Sequence, residues 1–185
     1  MLDTLAVKGR APQTGYSRDE FGQRWRDIDH NGCDTRNDVL NRDLVDKDWR
    51  DSSQHCVVIS GLLRDPYTGD TISFSKEDAS DVQIDHVVAL ADAWQKGAQL
   101  LTASEREQLA NDPLNLLAVD GRANEQKGSG DAAAWLPPSR QFRCAYVARQ
   151  VAVKASYDLW VTEAEHDAIA RILRGCPRER VPKSS

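Results

Sequence analysis

Apolar and polar positions along the chain predict several short strands in its middle part. Apolar, β-branched runs at His55–Leu62 and Thr71–Phe74 flank Asp65–Gly69, a turn-forming sequence, so the three segments together predict a β-hairpin. Two further apolar stretches, Val82–Val88 and Leu114–Val119, are short enough to be buried strands.

Capping residues and helical spacing predict helices on both sides of these strands. The predicted helices are a short one opened by Ser17–Glu20, then Asp34–Leu44, Ala89–Leu101, Ala103–Ala110, a small helix around Asn124, Arg140–Tyr157 and Thr162–Arg174. The helix that follows Thr102 and the last helix both begin at a capping box, and Gly175 ends the last one. Predicted helices and strands are intermixed along the chain, which predicts the α+β class.

The ends of the chain differ in pattern from its middle. Residues 1–15 have no periodicity and predict either a mobile arm or an extended lead-in, and residues 177–185 predict a polar tail. Residues 16–176 contain no repeat or linker and are expected to form one domain. Met1 is not followed by a basic and apolar leader, so an exported chain is expected in its mature form.

Composition narrows the class of protein. The 185 residues are 40% hydrophobic and 29% charged, which suits a folded domain, and no apolar run approaches the roughly 18 residues of a membrane span. The net charge is −5, but residues 122–185 carry 11 Lys and Arg against 7 Asp and Glu, whereas residues 1–121 carry 13 against 22. The last third could therefore bind an anionic partner.

The four cysteines indicate an oxidising compartment. Their wide spacing excludes the paired cysteines of metal knuckles and thioredoxin-type redox motifs. Four cysteines can form two disulfides in three ways. We favour Cys33–Cys56 with Cys144–Cys176, because each bridge joins neighbouring elements. We therefore expect a secreted, extracellular protein, with four free thiols in a cytosolic protein as the alternative.

His86 is the first candidate catalytic residue. It stands with Asp85 near the end of an apolar strand, where a polar side chain would be held rigidly, as a general base requires. In the alternative, both residues have structural roles only: Asp85 caps the helix that follows, and His86 is half-buried.

Two asparagines form the second candidate group. Asn115 opens the next apolar strand, and Asn124 follows a turn at Asp120 and Gly121 at the start of a small helix. A carboxamide oxygen is a hard, neutral ligand that suits Mg²⁺. Taken separately, a turn residue and a helix cap would explain both asparagines.

The combined pattern resembles a known family. Asp85, His86, Asn115 and Asn124, with Lys127 three residues later, resemble the motif of HNH (ββα-metal) endonucleases. The longer segments Asp85–Trp94, Asn111–Asn124 and Trp135–Pro138 resemble small secreted bacterial HNH nucleases related to the nuclease part of GmrSD-type restriction enzymes, and the resemblance extends over residues 16–176. It implies a disulfide-stabilised ββα-metal core at about residues 82–130, surrounded by helices. The 29-residue gap between His86 and Asn115 exceeds that of a compact HNH hairpin and predicts a helical insertion.

The resemblance also implies a chemistry. His86 would be the general base that activates water, Asn115 would hold the loop that carries it, and Asp85 with Asn124 would bind one divalent cation, Mg²⁺ or Mn²⁺. The products would carry 5′-phosphate and 3′-hydroxyl ends. The substrate would be DNA, cut with little sequence preference, and RNA stays open as an alternative. Nothing in the sequence demands a protein partner or more than a monomer.

Basic residues near the motif are candidates for phosphate binding. Arg122 and Lys127 flank Asn124 and are the first choices, with Arg36 and Arg64 more distant. A stripe along the predicted helix after residue 139 is the second group, and it consists of Arg140, Arg143, Arg149 and Lys154. A solvated helix face would give the same stripe.

Two other functions remain open at this point. A disulfide-stapled module could bind anionic polymers without cutting them, in which case His86 would be dispensable. A phosphodiesterase for small phosphoesters would need a small closed pocket, whereas the HNH hypothesis predicts an open groove.

Overall fold

The strands form two antiparallel sheets in the computed structural model, which describes residues 1–182. The first sheet has the order β1 (Leu44–Trp49), β2 (Val58–Arg64), β3 (Thr71–Ser75), and the second pairs β4 (Val82–His86) with β5 (Leu116–Asp120). Strands β2 and β3 form the predicted hairpin, with Leu63 opposite Ile72.

Strand β1 was not predicted from the sequence. Its middle residues Asp46, Lys47 and Asp48 are charged, and the register against β2 is irregular there, with Asp46 at a φ of 49°. It lies at the edge of the first sheet, where charged side chains are common because one side of the strand faces no neighbour.

Six α-helices accompany the sheets within residues 1–182, and two predicted helices are shorter than expected. The helices are α1 (Thr35–Asp43), α2 (Leu90–Gln95), α3 (Ala103–Asn111), α4 (Gly121–Lys127), α5 (Arg143–Ser156) and α6 (Glu163–Arg174). The single helix predicted over Ala89–Leu101 breaks at Gly97, whose φ of 123° is incompatible with a helix. Ser17 opens only a 3₁₀ turn, which Gly22 ends at a φ of 69°.

The β4–β5 pair is buried on both faces. On one face Ile84, Leu116 and Ala118 belong to a core cluster shared with α1 and the first sheet. On the other, Leu117 and Val119 belong to a cluster shared with α5 and α6. Burial on both faces explains why β5 is a continuous apolar run over Leu116–Val119, whereas β4 contains the polar residues Gln83, Asp85 and His86.

Residues 1–15 form an extended lead-in that docks on the helices. Leu2 and Leu5 are buried in the same cluster as α5 and α6. Val7 forms a parallel bridge with Val161, and the Lys8 amide donates to the Val161 carbonyl at 3.0 Å. Of the two predicted alternatives, the mobile arm is therefore wrong. The predicted tail 177–185 falls partly outside the described residues.

Both favoured disulfides are present. Cys33 and Cys56 join the start of α1 to the start of β2, with a Cα–Cα distance of 5.2 Å. Cys144 and Cys176 join α5 to the segment after α6, at 6.2 Å. No helix of residues 1–182 is long and apolar enough to cross a membrane.

A group of buried charges ties the helices together, and we call it the buried charge cluster. It consists of five buried residues, Asp92, Lys96, Asp131, Lys154 and Glu165, together with Arg10, which is exposed. Lys96 is fully buried and lies 2.6 to 2.8 Å from three of these carboxylates. Burial lowers the pKa of Lys96, but the carboxylates outweigh it, so that its pKa is raised and the ammonium stays charged.

Candidate active site

His86 ends β4, and its ring is held by one backbone hydrogen bond. The side chain is 8% exposed, and Nε2 lies 2.9 Å from the Ala110 carbonyl oxygen at the end of α3. Burial lowers its pKa to about 3, helped by the positive charges of Arg18, Lys127 and Arg24, so the ring is neutral at pH 7. A carbonyl only accepts, so Nε2 carries the proton and the lone pair is on Nδ1.

Asp85 is buried next to His86 and is held from two sides. Its Oδ1 accepts a hydrogen bond from Lys127 Nζ at 2.9 Å, and its Oδ2 accepts one from the Tyr67 hydroxyl. Burial raises the pKa of the Asp85 carboxyl, and the ion pair with Lys127 and the Tyr67 hydrogen bond oppose that rise. Asp85 therefore has a fixed orientation, and each of its oxygens retains a lone pair beyond the recorded bond.

Asn115 is fully buried and fastens the segment that follows His86. Its Oδ1 accepts from the Val88 amide at 2.8 Å, and its Nδ2 donates to the carbonyls of Val88 and Leu109 at 3.2 and 3.3 Å. The side chain thus ties the residues after β4 to α3.

The insertion between β4 and β5 takes part in the site. Helices α2 and α3 occupy it, and the last turn of α3 provides the carbonyls that bind His86 and Asn115. The helical insertion expected from the long gap is therefore present, and it supports the histidine directly.

Asn124 projects from α4 toward β4. Its Nδ2 donates to Gln83 Oε1 at 2.8 Å. Gln83 lies two residues before Asp85 on β4. Asn124 and Asp85 border the same surface depression as His86, which we call the His86 cleft. The cleft is lined by residues that include Arg18, Gln83, Asp85, His86, Asn124 and Glu125.

The cleft offers a small set of oxygen donors for a cation. Within residues 1–182 no group of three or more His, Cys, Asp or Glu side chains is arranged to hold a metal ion. The carboxylate of Asp85 and the amide oxygen of Asn124, whose recorded bond uses only its Nδ2, fit an ion such as Mg²⁺, which takes few protein ligands and retains water. Lys127 offsets part of the Asp85 charge, so such an ion would be held weakly.

The predicted phosphate-binding residues lie in different environments. Arg122 is exposed on α4, but Lys127 is only 3% exposed and pairs with Asp85, so its ammonium group faces the interior. Arg64 is exposed and Arg36 is half-buried.

The predicted basic stripe on α5 is only partly a surface feature. Arg140 is exposed just before the helix, and Arg143 donates to the Pro137 carbonyl at 2.8 Å. Arg149 donates to the Leu114 carbonyl at 3.2 Å, and burial lowers its pKa. Lys154 is fully buried in the buried charge cluster, so the expectation that it faces a ligand is wrong.

Three residues at the cleft were missed by the sequence reasoning. Arg18, Arg24 and Trp25 come from the segment before α1, and together with His86 they line a narrow cavity that adjoins the His86 cleft. The Trp25 ring lies nearly parallel to the His86 ring, at an interplanar angle of 14° and a centroid distance of 6.5 Å. Only the long-range fold brings this segment to β4, and no spacing in the sequence indicates it.

Comparison with known proteins gives two matches. The family described as "GmrSD restriction endonucleases, C-terminal domain" matches residues 34–172. A protein of Arthroderma benhamiae named "Uncharacterized secreted protein" is 40% identical over 178 residues, which cover 95% of this chain and 83% of the relative. No solved structure gives a significant match.

Proposed function

We propose, from the premise that the chain belongs to the family of GmrSD restriction endonuclease C-terminal domains, that it is a secreted, divalent-metal-dependent HNH endonuclease. In this proposal β4, β5 and α4 form the ββα-metal core. The enzyme hydrolyses phosphodiester bonds of DNA to 5′-phosphate and 3′-hydroxyl ends, and RNA is an open alternative substrate. The family itself suggests only a nuclease-like function, and the proposed residue roles rest on the HNH resemblance and on the contacts of these residues.

The observation that carries the proposal is that three motif residues meet at one cleft. Asp85, His86 and Asn124 come from a strand and a helix separated by the whole α2–α3 insertion, yet they line the same depression. The cleft is bordered by exposed residues such as Arg18, which favours a polymer over a small phosphoester that would need a closed pocket.

His86 is proposed as the general base. Its Nε2 is committed to the Ala110 carbonyl, so Nδ1 is the atom that would take a proton from water. The ring is neutral at pH 7 with a free lone pair on Nδ1, but its pKa of about 3 makes it a weaker base than an ordinary histidine. Asn115 fixes the segment after His86 and so keeps the ring in place.

Asp85 and Asn124 are proposed to hold one Mg²⁺ or Mn²⁺ ion. When bound, such an ion supplies Lewis-acid stabilisation to the charge that develops on the phosphate and on the leaving 3′ oxygen. Tyr67 and Lys127 orient the Asp85 carboxylate for this role.

An extracellular location follows from two observations. The protein has two disulfides, between residues 23 and 32 positions apart, and such bridges persist in oxidising compartments. The fungal relative is named as a secreted protein.

Plasmid cleavage tests the proposal. The wild type in Mg²⁺ is expected to nick and linearise supercoiled DNA, EDTA is expected to abolish the reaction, and His86→Ala should lower the rate at least about 100-fold, the usual contribution of a general base. The matched control is His166→Ala, a half-buried histidine on α6, which should retain the wild-type rate.

Two outcomes would contradict the proposal. Intact plasmid from folded wild type in Mg²⁺ would favour the non-catalytic module that binds anionic polymers. Cleavage that survives His86→Ala would leave a nuclease whose general base is another residue.

A further inference from the structure

The segment before α1 brings two arginines to the histidine. Arg18 and Arg24 line the narrow cavity that contains His86 and Trp25, and Arg18 also lines the wider His86 cleft beside Asp85 and Asn124. Both side chains belong to exposed residues, so their guanidinium groups are accessible from solvent.

Arg18 and Arg24 have no acidic partner, unlike several other arginines of the chain. Arg10, Arg26, Arg42 and Arg106 each form an ion pair with a carboxylate. For Arg18 and Arg24, no carboxylate of residues 1–182 lies within ion-pair distance. Two unneutralised guanidinium groups at one cleft attract an anion.

Arg24 is linked to the histidine through the Trp25 ring. Arg24 lies over the Trp25 ring, 6.0 Å from its centroid, and Trp25 lies parallel to His86. Contact with the ring restricts the Arg24 side chain and places its charge on the same side of the molecule as the histidine.

Several of the basic residues first expected to bind phosphate are less available, although Arg122 is exposed. Lys127 and Lys154 are buried in ion pairs, and Arg149 is half-buried and bonded to backbone carbonyls. Arginine, by contrast, presents a planar fork that can bind two phosphate oxygens at once.

We propose that Arg18 and Arg24 bind the phosphate backbone of a nucleic-acid strand next to the bond that is cut, with Trp25 as the residue that positions Arg24. The proposal rests on the proposed nuclease function and adds a binding surface from outside the β4–β5–α4 unit. Contacts to phosphates carry no base identity, so this surface would accept any sequence.

The test measures binding separately from cleavage. The full chain is titrated in EDTA against a fluorescein-labelled 20-base-pair DNA duplex at several salt concentrations. Each phosphate contact contributes about 0.9 to the slope of log affinity against log salt. The Arg18→Ala/Arg24→Ala double variant should therefore lose about 2 from the slope and bind at least tenfold more weakly, and each single variant should lose about half of that slope.

Two further proteins serve as controls. Arg50→Ala removes an exposed arginine that lines a separate depression formed by β2 and β3, and it should retain the wild-type slope. Arg18→Lys/Arg24→Lys keeps both charges and should recover most of the slope, which a general loss of structure would not allow.

The outcomes separate this inference from the proposed function. An unchanged slope in the alanine double variant overturns the inference even if plasmid cleavage is normal, and so does a wild type that binds no duplex. A wild type that binds with the expected arginine dependence but cleaves nothing supports the surface and contradicts the nuclease.

Discussion

His86 is the residue whose ionisation changes most clearly on folding. In the unfolded chain its pKa is the ordinary 6.5, whereas burial lowers it to about 3 in the folded protein. Between these two values the unfolded state binds more protons than the folded state, so folding stability increases with pH across this window and is lost as the pH falls through it.

The metal-free protein should therefore be destabilised by mild acid through this residue. From pH 7 to pH 5 the shift predicts a loss of about 2 kcal/mol in the free energy of unfolding. In His86→Gln the new side chain cannot titrate but can still donate to the Ala110 carbonyl. Between pH 7 and pH 5 this variant should therefore lose about 2 kcal/mol less of its free energy of unfolding than the wild type. The measurement is urea unfolding in EDTA, followed by tryptophan fluorescence at several pH values.

His166 provides the comparison. His166→Gln changes a histidine that lies on α6, far along the chain from the cleft, and its pH dependence should match that of the wild type. If His86→Gln and the wild type lost stability equally between pH 7 and pH 5, His86 would not be buried in its neutral form.

Single residues of the motif could be picked from the sequence, but their partners could not. Asp85, His86, Asn115 and Asn124 stand out because their spacing is local and resembles a family. The inward orientation of Lys127 toward Asp85 depends on how α4 packs against β4. Contacts across the fold set that packing. A lysine next to a motif therefore cannot be assigned to a ligand by position alone.

At the level of elements, the junction between β5 and α4 fixes the geometry of the cleft. The helix begins at Gly121 directly after the strand, with no intervening loop, and the Gly121 amide donates to the Asp81 carbonyl at 2.9 Å. A Cβ atom at Gly121 would lie 2.1 Å from the Ser80 carbonyl oxygen. The backbones before β4 and at the start of α4 are thus too close for any side chain.

Gly121→Ala should consequently displace α4 from β4. We expect a loss of about 1 to 3 kcal/mol in stability, the usual cost of overpacking. We also expect a fall in plasmid cleavage larger than the stability loss explains, because α4 carries Asn124 and Lys127. Urea unfolding and the cleavage assay in Mg²⁺ measure the two effects.

Gly9→Ala is the matched substitution, since a Cβ atom there has no neighbour within 4 Å. It should leave both quantities unchanged. A Gly121→Ala protein with wild-type stability and cleavage would show that the β5–α4 junction adapts without moving the site.

Most elements could be predicted, and the errors have physical causes. The β2–β3 hairpin, β4, β5 and the helices with clear caps follow from local pattern. Strand β1 was missed because its charged residues match no apolar template, and pairing with β2 stabilises it instead. The predicted helix Ala89–Leu101 was too long because Gly97 packs against Trp160, a contact that no local rule anticipates.

At the level of the whole molecule, the buried charge cluster links parts that are remote in sequence. Arg10 comes from the lead-in, Lys96 follows α2, Asp131 follows α4, and Glu165 lies in α6. Each charged group has partners of opposite charge, which compensate the cost of burying it. Removing one member leaves its former partners with an uncompensated charge.

Lys96→Met should be strongly destabilising for this reason. Three carboxylates would lose their shared ammonium group, and the expected cost is about 3 to 5 kcal/mol in the free energy of unfolding. Lys76→Met, an exposed substitution of the same kind, should change it by less than about 0.5 kcal/mol. The two variants are compared by urea unfolding. Equal unfolding midpoints would mean that the buried charge cluster contributes nothing to stability.

The bridge between Val7 and Val161 also constrains the order in which the protein can be assembled. A ribosome makes residue 7 long before residue 161, so the lead-in has no partner while most of the chain is being synthesised. Leu2 and Leu5 must stay solvent-exposed, or held by a chaperone, until α5 and α6 have emerged. The lead-in can therefore dock on its final partners only after residue 161 has been synthesised, and a product truncated before that residue could not form this contact.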